Sequence, residues 1–382
     1  MRIVLTGSGS GGHFYPLIAI AEALTEQARE RKLLMPELSL LGPDPYDREA
    51  LFACGISYRY VPAGKVRRYT SLKNITDVAK TVVGVFVALW RLLLVYPDVI
   101  VSKGSYTSVP VVLAAVLLRI PVVLHESDVR PGRANALVAR FAHTIAISYE
   151  DTASHFPAAC AAKIIRTGIP VRRHLLKAPA GDPYRILRIT PASSGSPLIL
   201  VLGGSQGAQR VNDLMVTALD GLLPTYSILH QTGEQNAHIT AESARALIKK
   251  KELLKRYYVR GFLDADALGA ALSTSSLVIS RAGSGSIYEV ALAGKPSILI
   301  PIPEEISHDQ RLNAYAYART GAAVVMEEKN LTAHLLTAEI GRIMNDPALR
   351  ERMSTAARAF AQDDAAQKLA ILLVDIGLEH EQ

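Results

Sequence analysis

Arg2-Ile3-Val4-Leu5-Thr6-Gly7-Ser8-Gly9-Ser10-Gly11-Gly12-His13 opens the chain, and Leu198-Ile199-Leu200-Val201-Leu202-Gly203-Gly204-Ser205-Gln206-Gly207-Ala208 repeats its grammar about two hundred residues on. In each, a short apolar strand runs into a glycine-rich turn and then into a helical pattern. Such a turn aims free backbone N–H groups and the positive end of a helix at one point, which suits phosphate. Two such units predict two α/β domains facing one cleft, and so an enzyme with two substrates rather than a single-domain dinucleotide binder.

Working outward, short buried-strand patterns alternate with longer helical ones. The candidate strands of the first half are Ile3–Leu5, Leu38–Leu41, Asp98–Val101, Pro121–Leu124 and Thr144–Ile147. Those of the second half are Leu198–Leu202, Ser227–His230, Tyr257–Val259, Leu277–Ser280 and Ser297–Ile300. Continuous apolar strands between amphipathic helices predict parallel sheets covered on both faces. The helix expected over Phe14–Glu30 carries Leu17, Ile20, Ala21, Leu24 and Ala28 on one face. The stretch from Ala178 to Pro197 is rich in Pro, Gly and Ser and reads as a connector or a long loop. Arg166-Thr167-Gly168-Ile169-Pro170 ends the last strand of the first half, which places the boundary near Gly168. The first domain is then expected over 1–167 and the second over 168–358.

Composition narrows the class. At 382 residues with 49% hydrophobic and 20% charged side chains, the chain can build two proper cores. A formal net charge of +7 favours anionic partners: phosphates, nucleic acid or an anionic membrane. Cys54 and Cys160 have neither metal-ligand nor disulfide-framework spacing, which fits a reducing cytoplasm. The opening apolar run is too short for a signal peptide and leads directly into glycines. The run from Val82 to Tyr96 contains Arg91 and falls short of the roughly 20 residues that span a bilayer. A soluble or peripheral protein is expected.

Each motif has more than one reading. Gly7, Gly9 and Gly12 fit G-x-G-x-x-G, but no Asp or Glu ends the following strand to hold a ribose diol, which disfavours NAD. A tight structural turn is the other alternative. His13, in the first turn of the helix, suits a general base by its titration range, or else caps or packs. The second glycine turn lacks the Lys-Ser/Thr ending of a P-loop. Arg281-Ala282-Gly283-Ser284-Gly285-Ser286 forms a third strand–turn–helix unit. Its N-terminus is suited to a diphosphate, and Glu289 one turn in is suited to ribose hydroxyls, or is simply a solvated helix residue. His308-Asp309-Gln310 and Asn313 follow a strand end and suit sugar hydroxyls, or mark an ordinary helix start. No His/Cys/Asp cluster has metal spacing.

Together these residues resemble the MurG family, the peripheral N-acetylglucosaminyltransferases of peptidoglycan synthesis. Gly9-Ser10-Gly11-Gly12-His13-Phe14-Tyr15-Pro16 looks like the family's first glycine loop, with Ser10 where Thr is usual. Lys103-Gly104-Ser105-Tyr106-Thr107-Ser108-Val109-Pro110 resembles its second. His125-Glu126-Ser127-Asp128 is similar to a His-Glu-Gln-Asn motif. Thr167-Gly168-Ile169-Pro170-Val171-Arg172 matches the interdomain motif, and 203–208 the third glycine loop. Arg281 to Glu289, with Asp309-Gln310 and Asn313-Ala314, completes the set.

The resemblance implies a GT-B fold, two Rossmann-like domains with parallel sheets facing a central cleft. It implies an acceptor on the N-terminal domain and UDP-sugar mainly on the C-terminal one, with the helix after about Ala359 packing back on the first domain. It implies UDP-N-acetylglucosamine as donor and a lipid-diphosphate muramoyl-pentapeptide as acceptor, at the cytoplasmic face of the cell membrane. The outcome would be cell-wall building, with its links to cell shape and division. No cofactor, no metal and no nucleic acid are implied. Carried over as donor-binding are Ser10, Gly11, Gly12, Asp128, Arg172, Ser205, Gln206, Leu263, Ser284, Gly285, Ser286, Glu289 and Gln310. Gly104, Ser105 and Tyr106 fall to the acceptor, and His13 and Glu126 to catalysis. Two departures stand out: Asp128 replaces an asparagine, and Lys103 and Ser105 replace glycines. An anion at 128 would repel diphosphate unless protonated or paired, with Arg130 or Arg133 as partners. A 2-epimerase on the same kind of fold, or a glycolipid synthase with another lipid acceptor, are the rival readings.

Overall fold

A computed structural model describes all residues except 66–72, 173–180, 191–194, 205–206, 306–307 and 381–382. The chain divides into two compact units. Unit 1 comprises Met1–Arg172 together with Gln362–Gln382, and unit 2 comprises Arg173–Ala361.

Unit 1 runs β1 (Arg2–Thr6), α1 (Gly11–Glu30), β2 (Glu37–Gly42), α2 (Arg48–Ala53), β3 (Ser57–Tyr60), α3 (Lys73–Val95), β4 (Val99–Ser102), α4 (Val109–Leu117), β5 (Val122–Glu126), α5 (Arg133–Val138), β6 (Thr144–Ile147) and β7 (Ile164–Arg166). The seven strands are parallel, in the order β3-β2-β1-β4-β5-β6-β7. Side chains alternate across the sheet. Ile3 and Leu5 enter one core with α1, while Val4 enters the other with Val111, Val112 and Leu92. Burial on both faces is why β1 reads as an unbroken apolar run.

Unit 2 runs α6 (Pro183–Leu187), β8 (Leu198–Leu202), α7 (Gln209–Leu222), β9 (Ser227–Gln231), α8 (Ala237–Leu247), β10 (Tyr257–Arg260), α9 (Ala265–Thr274), β11 (Leu277–Ser280), α10 (Ser284–Leu292), β12 (Ser297–Leu299), α11 (His308–Ala318), β13 (Ala323–Val325), α12 (Ala333–Met344) and α13 (Pro347–Phe360). Its six parallel strands lie in the order β10-β9-β8-β11-β12-β13. Ile199 and Val201 pack toward α7, α12 and α13; Leu198, Leu200 and Leu202 pack toward α6 and α9. A last helix, α14 (Ala365–His380), belongs to unit 1. Leu369, Leu373 and Val374 are fully buried in the core that Ile3, Leu5 and α1 share, and Arg31 pairs Asp375 at 2.6 Å.

Three local differences from the sequence reading have simple causes. α1 starts at Gly11 rather than Phe14, because the Ser10 carbonyl already accepts from His13 and Phe14 N–H (3.0 and 2.8 Å). β3 and β13 are strands that a buried-run criterion passes over, since most of their side chains are half-buried or exposed. The apolar run ending at Tyr96 is part of a 23-residue helix, α3. Among the described residues one helix, over Asn74–Val95, is long and apolar enough to cross a membrane, so the length argument against a span does not hold. One side of α3, however, is seated in the core through Ala88, Leu92 and Val95.

Candidate active site

In an open parallel sheet, ligands bind beyond the carboxyl ends of the strands where the strand order reverses direction. That point lies between β1 and β4 in unit 1 and between β8 and β11 in unit 2. All three glycine turns leave the sheet there.

In unit 1 the first turn connects β1 to α1 and the second connects β4 to α4. They touch: Lys103 N donates to the Thr6 carbonyl at 2.9 Å. Gly7 has φ +109°, and a Cβ on it would lie 2.6 Å from the Gly104 carbonyl oxygen. Glycine is required at position 7 on both counts. Ser10 caps α1, and its Oγ meets His13 Nδ1 at 2.9 Å. Gly11 and Gly12 open the helix, and a Cβ on Gly12 would meet nothing within 4 Å. The first-turn N–H groups therefore point into open space. Gly104 (φ +85°) and Ser105 (φ +71°) are both left-handed. Ser105 thus holds, at some strain, a conformation that a glycine adopts freely. Tyr106 is half-buried beside it.

The end of β5 contributes His125 to Asp128. His125 is fully buried, with Nε2 2.8 Å from the Gly168 carbonyl. Burial and the nearby Lys103 ammonium hold it well below the usual histidine range, so it is neutral. Both Glu126 oxygens are engaged. Oε1 accepts from Asp128 N (3.0 Å), and Oε2 from Gly132 N and Asn135 Nδ2 (2.9 Å each). Burial, then Asp128, pushes its carboxyl up. A carboxylate so occupied braces the loop into α5, which corrects the catalytic reading of Glu126. Asn135, which also donates to the His125 carbonyl at 3.2 Å, escaped the sequence reading because only the fold reveals its partners.

Lys103 is buried and donates a short hydrogen bond to Ser127 Oγ. Burial lowers its pKa, and Glu126 and Asp128 raise it. The cation in electrostatic reach of Asp128 is thus Lys103, where the sequence pointed to Arg130 or Arg133. His13 is lowered to about 4, first by its desolvated surroundings and then by Lys103, with Asp128 opposing. Arg172 stacks its guanidinium 4.0 Å over the Tyr15 ring, an orientation no linear motif encodes.

In unit 2, Gly204 (φ +81°) and Gly207 (φ +78°) shape the turn after β8. A Cβ on Gly207 would overlap the Thr232 carbonyl. Ser205 and Gln206 lie outside the described residues. The neighbouring turn enters α10 through Ser284, Gly285 and Ser286, with Glu289 one turn on, half-buried. Gln310 Nε2 would lie 4.0 Å from a Cβ on Gly283, and its Oε1 accepts from Ile302 N at 3.2 Å. α11 is thereby pinned beside the α10 N-terminus. Arg281 is turned to Glu328 (2.5 Å) and the Ile300 carbonyl (3.2 Å), so its charge supports the turn. Leu263 is buried, and Asp264 caps α9 through Ala267 N at 2.9 Å. Asn313 is buried; the side chain of His308 lies outside the described residues. Among the described residues no group of three or more His, Cys, Asp and Glu is placed to hold a metal ion.

The N-terminal domain model of glycosyltransferase family 28 matches residues 3–147, and its C-terminal domain model matches 198–369. A UDP-N-acetylglucosamine–N-acetylmuramyl-(pentapeptide) pyrophosphoryl-undecaprenol N-acetylglucosamine transferase of Shouchella clausii is 38% identical, over 90% of this chain and 91% of its own. One from Treponema denticola is 33% identical, over 98% and 96%. This chain belongs to that transferase family. Among solved structures, Acinetobacter baumannii MurG superposes with a TM-score of 0.73 at 25% identity, covering 98% of this chain and 99% of that one. A Listeria monocytogenes protein described as a putative UDP-N-acetylglucosamine 2-epimerase reaches 0.71 at 14% identity, covering 99% and 96%; that likeness concerns the fold alone. The fold is GT-B, and the family explains why a glycine turn stands at each switch point.

Proposed function

We propose that this chain is an inverting glycosyltransferase of peptidoglycan synthesis. It moves N-acetylglucosamine from UDP-N-acetylglucosamine to an undecaprenyl-diphosphate-linked N-acetylmuramoyl-pentapeptide. The observation that carries this reading is the placement of the family's glycine loops at the switch points of two separate parallel sheets. Unit 2 takes the donor. The α10 N-terminus with Ser284, Gly285 and Ser286 faces the diphosphate, Glu289 the ribose hydroxyls, and the Leu263 backbone the uracil. Ser205, Gln206, Gln310, Asp128 and Arg172, with Ser10, Gly11 and Gly12, complete the donor contacts. Unit 1 takes the acceptor through the turns at 7–13 and 103–108, including Gly104, Ser105 and Tyr106.

The acceptor hydroxyl attacks the anomeric carbon in line; the new glycosidic bond forms as the bond to UDP breaks. His13 accepts the hydroxyl proton. In the tautomer whose Nδ1–H donates to Ser10 Oγ, Nε2 carries the free lone pair. With a pKa of about 4, His13 is unprotonated at neutral pH. An arriving diphosphate, being anionic, raises that value and strengthens the base. Helix N-termini and Arg172 stabilise the charge developing on UDP.

The acceptor keeps its lipid in the bilayer, so the enzyme docks peripherally at the cytoplasmic face of an anionic membrane. The support is α3. Ile75, Val78, Val82, Val83, Phe86, Trp90, Leu93 and Leu94 recur at three- and four-residue steps and are at least half-exposed, a continuous apolar stripe. Lys65 precedes it and is exposed; Arg67 and Arg68 lie outside the described residues, as does the side chain of Lys73. The deciding assay combines purified protein, UDP-N-acetylglucosamine and the lipid-diphosphate acceptor. The expected product is the lipid-linked disaccharide. Epimerisation of the donor without transfer would replace this reading by the isomerase one.

A further inference from the structure

Lys103 is the least expected residue in unit 1. It follows β4 directly, its side chain is 3% exposed, and its ammonium donates to Ser127 at the end of the adjacent strand β5. A buried ammonium without a counter-charge is expensive. Of the two carboxylates beside Ser127, Glu126 already has three N–H donors on its oxygens. Asp128, one residue past Ser127, is the carboxylate left to answer the lysine. Both residues are also departures from the family pattern, on adjoining loops and with opposite charge. Removing only the cation would leave Glu126 and Asp128 facing each other in a dry pocket. Removing only Asp128 would leave Lys103 with a neutral hydroxyl and an engaged carboxylate.

We propose that Lys103 and Asp128 form one ionic unit whose charges must be present or absent together, and that Lys103 is a positioning residue holding the 126–128 segment and His13 in working arrangement. The lysine pins Ser127 through its hydrogen bond, and Asp128 keeps the ammonium in place. His13 feels both, since Lys103 opposes and Asp128 favours its protonation. The pair so keeps the site near electrical balance before an anionic acceptor arrives.

A mutant cycle tests this on the full chain, with Lys103→Met, Asp128→Asn and the double variant. The stability half is independent of the transferase reading; the activity half rests on it, so the two can fail separately. Lys103→Met is expected to lower Tm by about 5 °C or more, the scale of an uncompensated buried charge in a domain of this size. Its kcat should fall at least about tenfold for a loss of one order in transition-state stabilisation. The double variant should recover most of the Tm loss and bring kcat to within about threefold of Asp128→Asn, because coupled residues are not additive. Should Lys103→Met not fold, the double variant must still fold. Additive losses in Tm and kcat overturn the proposal, as does a double variant as unfolded as the single. A Lys103→Met effect confined to the acceptor KM, with Tm unchanged, overturns it too and makes Lys103 a direct acceptor contact.

Discussion

Replacing Phe86 and Trp90 by serine should release the protein from membranes without disturbing its fold. The two side chains are 68% and 64% exposed on the open face of α3. An aromatic side chain offers about 150–250 Å² in all, so roughly 100–150 Å² of each is open to a bilayer. At about 25 cal/mol per Å², full submersion of that area is worth about 2.5–4 kcal/mol per ring. A helix lying in the interface sinks only its apolar side, by about 5–10 Å. Counting about half the area, the two rings together contribute about 3 kcal/mol, or roughly 100-fold in partition. The opposite side of α3, with Ala88, Leu92 and Val95, is untouched, so Tm should hold. The assay is co-sedimentation with anionic vesicles at low salt, compared with high salt. Sedimentation of the double variant equal to that of the wild type refutes the docking face, and a wild type that ignores the vesicles refutes peripheral attachment altogether.

Three further outcomes are expected. Glu289→Ala should weaken UDP binding by about 1.5–3 kcal/mol, the scale of a charged acceptor lost; calorimetry with unchanged affinity in a folded variant would remove Glu289 from the site. His13→Ala should lower kcat by about 10²–10⁴ with donor affinity preserved, whereas a near-normal kcat with raised acceptor KM would make His13 a binding residue. His230 is fully buried against the Tyr257 hydroxyl (2.8 Å), and burial lowers it to about 3. Between that value and an unfolded one of about 6.5, the unfolded chain holds a proton the folded chain lacks. Stability is therefore full above the unfolded value and falls as pH drops, by about 1.4 kcal/mol per unit. The loss is about 2 kcal/mol at pH 5, and denaturant unfolding of His230→Gln should show that much less acid sensitivity; identical losses would refute the assignment.

The parts of the fold that were legible are those where backbone geometry restricts the residue type. Gly7, Gly204 and Gly207 stand where the chain is left-handed or two backbones nearly touch, and β1 and β8 are buried on both faces, so their patterns admit few readings. β3, with two exposed and two half-buried side chains, carries no such constraint. At the site, residue types pointed to phosphate and sugar chemistry, but not to which groups were already occupied. Glu126 looked like a free acid and is a brace; Asp128 looked like an unpaired anion and answers Lys103. Those assignments depend on contacts between β4 and β5, which are neighbours in the sheet yet separated along the chain by α4.

The return of α14 to unit 1 has a consequence for biogenesis. Leu369, Leu373 and Val374 close a core begun by Ile3 and Leu5, yet the ribosome delivers them only after all of unit 2. Domains generally fold as they emerge. Here unit 2 can finish first, while the earlier-made unit waits with one apolar face of its sheet and α1 uncovered. Nascent unit 1 is thus a natural client for a holding chaperone, and early termination before Ala365 would damage the half of the protein that was synthesised first.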